Sequence, residues 1–126
     1  MKIGQEIKSY RDLQVWDRAM KLAQMCYAGT AQSPKGETYG LVSQIRRAAV
    51  SILSNIAEGH SRRTRQAFLN HLSISLCSQS ELETQIELSR RLGLVCEDSA
   101  RLILREAEEI GRMLHGLIRR LEQRGS

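Results

Sequence analysis

The run HSRRTR at residues 60–65 sets Arg62, Arg63 and Arg65 close together. Each planar guanidinium offers N–H donors in a fork that fits two oxygens of a phosphate or carboxylate. Two further clusters repeat that chemistry, Arg46 with Arg47, and Arg119 and Arg120 with Arg124. These arginines are the candidate nucleic-acid contacts, and what they suit is holding a phosphate backbone. The competing account of each cluster is a solvated face whose guanidinium groups pair with nearby carboxylates. Aromatic side chains that would stack single-stranded bases are scarce: three Tyr, one Trp and one Phe.

Bond-breaking chemistry finds less support. Glu81, Glu83 and Glu87, and then Glu106, Glu108 and Glu109, have the residue type for acid–base work. They sit among arginines at three- and four-residue spacing, which favours ion-paired helix faces. His60, His71 and His115 are isolated, and no Glu is followed by a His three residues later, as a di-iron bundle would require. Cys26, Cys77 and Cys96 are odd in number, lack a CxxC pair and read as reduced, inert thiols. Phosphate-loop, dinucleotide, hydrolase-elbow and zinc-helix signatures are absent. The expectation is no catalytic residue, no metal ligand and no cofactor.

Composition bounds the rest. The chain has 126 residues and a formal charge of +5, with 15 Arg, 4 Lys and 14 acids. That length fits one domain with one core. The charge favours anionic partners, although the same surplus also keeps ordinary helical proteins in solution. Residues 1–10 lack the apolar core of a signal peptide, and no apolar run approaches the roughly 20 residues of a membrane span, so the expected location is cytoplasmic.

These side chains must be positioned by helices, since one proline and no alternating β-branched run leave strands unsupported. Leu13, Trp16, Met20, Ala23 and Tyr27 recur at steps of three and four, predicting a helix over about 12–30, with Ser9 or Asp12 to cap it. Turn formers at residues 29–36 stop it. A second helix, about 37–58, carries Leu41, Val42, Ile45, Ala48, Ala49, Ile52, Leu53 and Ile56, a stripe wide enough to suggest contact with another subunit. Gly59 is the expected left-handed terminator.

A third helix, about 62–92, is expected to be capped by Ser61 or Thr64. It carries the stripe Phe68, Leu72, Leu76, Gln79, Leu82 and Ile86, and Ser73, Ser75, Ser78 and Ser80 read as packing residues. Gly93 ends it after Arg90 and Arg91, which suit the helix dipole. A fourth, about 97–122, has the seam Ile103, Ala107, Ile110, Leu114, Leu117 and Leu121. Beside that seam lies the line Leu104, Gly111 and Ile118, read as an intersubunit or tight intrabundle contact. Short connections favour antiparallel neighbours, so the fold expected is an all-α, up-down-up-down four-helix bundle. It forms a single domain over 1–126, with flexible ends at about 1–9 and 123–126.

The segment YGLVSQIRRAAVSILSNIAEG, residues 39–59, closely resembles the signature of a four-helix bundle family. That family was first noticed as products of intervening sequences in bacterial 23S ribosomal RNA genes. The resemblance extends to YRDLQVW at 10–16, ELETQIELSRRLG at 81–93 and EIGRMLHGLIRRL at 109–121. Leu53 stands where the family pattern usually has proline, and Cys96 where a serine cap would look usual. The resemblance implies a cytoplasmic homo-oligomer, a pentameric ring of bundles. It also implies a distant similarity to accessory proteins of diversity-generating retroelements, which associate with a reverse transcriptase and nucleic acid. The partners expected are thus further copies of the chain, RNA or DNA, and a reverse transcriptase, with no membrane. The function expected is a non-catalytic nucleic-acid-binding or ribonucleoprotein accessory protein. The alternative is a structural or protein-interaction ring, an adaptor without its own affinity for nucleic acid.

Overall fold

A short 3-10 turn, Tyr10–Asp12, leads into α1 (Gln14–Gly29), followed by α2 (Leu41–Ser61), α3 (Arg65–Arg91) and α4 (Glu97–Arg124). The computed structural model describes residues 9–35 and 40–124, and among them there is no strand. The expected flexible N-terminus, apart from Ser9, the start of the second helix at 37–39 and the last two residues of the tail lie outside the described residues. Gln123 and Arg124, expected to fray, form the end of α4.

Each helix packs against two others: α1 and α3 both contact α2 and α4, while α1 and α3 do not meet, nor do α2 and α4. The pairing is antiparallel. Along α2 from Ser51 to Gly59, the partners on α3 run backwards from Ser78 through Ser75 and His71 to Phe68. Along α1, Arg18 meets Glu106 and Gly29 lies against Ser99 and Ile103. The core at the centre contains Leu22, Ile45, Ile52, Ile56, Leu72, Leu82, Ile86, Ile103, Ile110 and Leu114, all essentially inaccessible.

Several expectations change in detail. Leu13 occupies the start of α1 without a side-chain cap, and the Ser9 hydroxyl instead accepts from the Arg11 N–H. The buried arc of α1 is Val15, Ala19, Leu22, Ala23 and Cys26, because α2 and α4 cover it from two sides. Trp16 and Met20 sit at its edge, and Tyr27 is 46% exposed. Burial drives the Cys26 thiol up to about 12, which keeps it protonated and inert.

Gly59 does not end α2. It is buried within the helix, which runs on to Ser61, and Gly93 is the one described residue with positive φ (75°). Gly59 is small because α3 passes close by. Ser61 does not cap α3; its hydroxyl donates back to the Ala57 carbonyl. Thr64 does cap it, accepting from the Ala67 N–H at 3.1 Å. At the other end Gly93 N–H donates to the Arg90 carbonyl and Leu94 N–H to the Ser89 carbonyl, the paired bonds of a Schellman stop.

Ser75 and Ser78 are buried packing residues, whereas Ser73 and Ser80 face solvent. The Ser75 hydroxyl donates to the Ile52 carbonyl at 2.9 Å, which lets α2 and α3 approach closely without leaving a buried hydroxyl unpaired. Gly111 makes room for Gln79, whose amide donates to the Ala107 carbonyl, so that glycine serves a contact inside the bundle. The wide stripe of α2 is likewise covered by α1 and α3. Leu41, Leu104 and Ile118 on these stripes are partly buried against the core. Leu53 packs against the core within an unbroken α2. Cys96, at the start of α4, donates its thiol to the Ser99 hydroxyl at 3.3 Å.

Candidate nucleic-acid interface

The antiparallel topology brings two arginine clusters to one end. The close of α2, the start of α3 and the close of α4 lie together, so Arg62, Arg63 and Arg65 share an end of the bundle with Arg119, Arg120 and Arg124. In the stretches 58–65 and 119–124 these six arginines face two acids, Glu58 and Glu122. Arg62 is held by Glu58, Nη2 to Oε2 at 2.8 Å, a helical i,i+4 pair. Arg63, Arg65, Arg119 and Arg120 are exposed, and none forms an ion pair among the described residues. Arg124 closes α4 at the same end.

At the opposite end, three arginines from the close of α3 and the start of α4 are bound to acids. Arg90 binds Glu87 at 2.6 Å and Glu97 at 2.9 Å, Arg91 binds Glu87, and Arg101 binds Asp98. The Arg90 and Arg91 hydrogen bonds pull the Glu87 carboxyl down to about 2. Arg46 is held against α1. Its Nε donates to the Thr30 hydroxyl at 3.0 Å, Nη2 reaches the Tyr27 carbonyl, and the guanidinium lies 4.5 Å from the Tyr27 ring centre. A cation there meets the negative end of α1 and ties it to α2. Arg47, next in sequence, points away from the core and has no ion pair among the described residues.

The glutamates divide in the same manner. Glu106 binds Arg18 through two bonds of 2.6 and 3.0 Å, and Glu108 and Glu109 share Arg112. Burial, reinforced by the charge of Glu108, raises the Glu83 carboxyl. No group of three or more metal-ligating side chains occurs among the described residues. No described helix is long and apolar enough to cross a membrane.

Sequence spacing missed a polar network between α2 and α3 beside the basic end. Ser78 bonds Ser51, and the Asn55 amide donates to the Ser51 carbonyl. His71 meets Asn55 through Nδ1 and faces Glu58, the partner of Arg62. Only its local steps, Ser51–Asn55 and Glu58–Arg62, have i,i+4 spacing.

The profile of the 23S rRNA-intervening sequence protein matches residues 11–116, most of all four helices. The chain belongs to that family. The Arg62–Arg65 corner lies within the matched region of this intervening-sequence protein, while Arg119, Arg120 and Arg124 lie beyond it. A crystal structure from Bacteroides thetaiotaomicron, described as a protein of unknown function from the S23 ribosomal protein family, is similar in fold. It superposes with a TM-score of 0.74 at 26% identity, covering 82% of this chain and 97% of that one. No curated protein matches the sequence.

Proposed function

We propose that this intervening-sequence protein is a non-catalytic nucleic-acid-binding or ribonucleoprotein accessory protein that holds RNA or DNA backbones against the basic end of its bundle. One observation carries this: exposed Arg63, Arg65, Arg119 and Arg120, with no ion pair among the described residues, gather at one end, while Arg90, Arg91 and Arg101 at the other are bound to acids. A guanidinium already paired to carboxylate gives little to a phosphate, whereas an unpaired one gains a bidentate partner and releases counterions. Among the described residues the aromatic side chains at this end, Tyr10, Trp16 and Phe68, pack against the core, so backbone contact is favoured over base stacking. Working as a homo-oligomer, the protein would repeat the basic end several times and convert weak contacts into avidity.

The test compares ends. Arg63→Ala with Arg65→Ala should weaken binding of a short RNA or DNA duplex at low salt by about tenfold or more, because two guanidinium groups no longer meet the phosphate backbone. Arg91→Ala with Arg101→Ala should change it little. Equal losses from both pairs would show that binding follows total charge, with no site at the basic end.

A further inference from the structure

We propose that His71 is a proton-operated control on this phosphate-binding end, its protonation drawing Glu58 away from Arg62 and freeing that guanidinium for the nucleic-acid backbone. The inference rests on the function proposed above and deepens it.

The proton's position on the neutral ring follows from its neighbours. The Asn55 Nδ2 donates to the Ser51 carbonyl at 3.0 Å, and a carbonyl only accepts, so the amide is oriented with Oδ1 toward His71. Oδ1 then accepts from His71 Nδ1 at 2.9 Å. Neutral His71 therefore carries its proton on Nδ1 and turns the bare lone pair of Nε2 toward Glu58 Oε2, 3.8 Å away. Two acceptors face each other there. The same Oε2 accepts from Arg62 Nη2 at 2.8 Å.

Protonation reverses the first of these contacts. A proton on Nε2 turns the imidazole into a cation and a donor beside the carboxylate, without disturbing the Nδ1 bond to Asn55. Glu58 stays ionised through this change, because the Arg62 hydrogen bond, and after it the charge of His71, hold its carboxyl below the usual range. One carboxylate is then shared by two cations. The His71, Glu58 and Arg62 group goes from no net charge to +1, and Arg62 loses part of its claim on Glu58. Glu58 of α2 is the one charged side chain that pairs with His71 among the described residues; α1, α3 and α4 supply no other. The imidazole is largely sheltered, at 17% exposure, whereas Glu58 and Arg62 are each 54% exposed and open to an incoming phosphate.

The experiment measures affinity for a short RNA duplex at fixed ionic strength, at about pH 8 and about pH 5.5. The wild type should bind roughly three- to tenfold more tightly at the lower pH. His71→Asn places an amide nitrogen near the Nδ1 position, so it keeps a donor for Asn55 but carries no charge, and it should abolish the difference. Glu58→Gln, at an exposed position, should bind at pH 8 about as tightly as the wild type does at pH 5.5. His60→Asn should retain the pH response. Wild-type binding that is equal at both pH values would overturn the control while leaving the phosphate-binding function intact. A response that survives His71→Asn, or one lost in His60→Asn, would do the same. Binding absent at both pH values would remove the function and the control together.

Discussion

A Cβ placed on Gly59 would stand 2.7 Å from the Cβ of His71 and 3.0 Å from Cδ1 of Phe68, so α2 and α3 touch almost backbone to backbone beside the basic end. Gly59→Ala should therefore destabilise the protein by about 2 kcal/mol through overpacking, despite the favourable helix propensity of Ala. Gly93→Ala should cost roughly 1 kcal/mol for a different reason, since φ is 75° there and nothing lies within 4 Å. Chemical denaturation checks both. A Gly59→Ala protein as stable as the wild type would show that the two helices can part at no cost.

That contrast marks what a sequence can express. Thr64 and Gly93 were legible because their tasks are local: one hydroxyl satisfies an N–H three residues on, and one positive φ closes its own helix. Gly59 looked like a second Gly93, because its reason for being small is His71, twelve positions away on another helix. The partners of Arg46 were hidden for the same cause, Tyr27 and Thr30 lying across the α1–α2 connection. Apolar periodicity revealed four helices but placed the buried arc of α1 too close to Trp16, which packs at the edge of the core, and Tyr27, whose exposed ring lies under Arg46. The two arginine clusters at one end were visible individually in the sequence; that they share an end follows from the antiparallel path of α2, α3 and α4.

The Arg18–Glu106 pair joins α1 to α4 and should make stability fall on acidification. The Arg18 hydrogen bond holds the Glu106 carboxyl below its ordinary 4.5, with burial opposing and the charges of Arg18 and Lys21 assisting. A carboxyl depressed in the folded state contributes stability that is present above its unfolded value and lost as pH falls through the folded one. Glu106→Gln should therefore cost about 1 kcal/mol at pH 7, a modest figure because Arg18 is partly solvated. Its deficit relative to the wild type should shrink below about pH 4. Urea melts across that range would report a constant deficit if the pair contributes no linked stability.

Self-association has an apolar surface to use that is not the stripe of α2. Ile74 and Leu88 of α3 and Leu92, which follows its last residue, are 46%, 48% and 61% exposed and fall on one side by helical spacing. Equilibrium sedimentation should give a mass above the 14.3 kDa of one chain. Ile74→Ser with Leu88→Ser should lower that mass while preserving helicity. A wild-type monomer at micromolar concentration would leave the basic end to act singly.

The salt dependence of duplex binding tests the central claim most directly. Each phosphate neutralised by the protein adds about 0.9 to the magnitude of the slope of log affinity against log salt. Replacing Arg63, Arg65, Arg119 and Arg120 together by alanine should therefore flatten that slope by up to roughly 3.6 per duplex site, at unchanged helicity and oligomer mass. A variant that keeps the wild-type slope, or a wild type that binds neither RNA nor DNA at low salt, would contradict a phosphate-holding function for this end of the bundle.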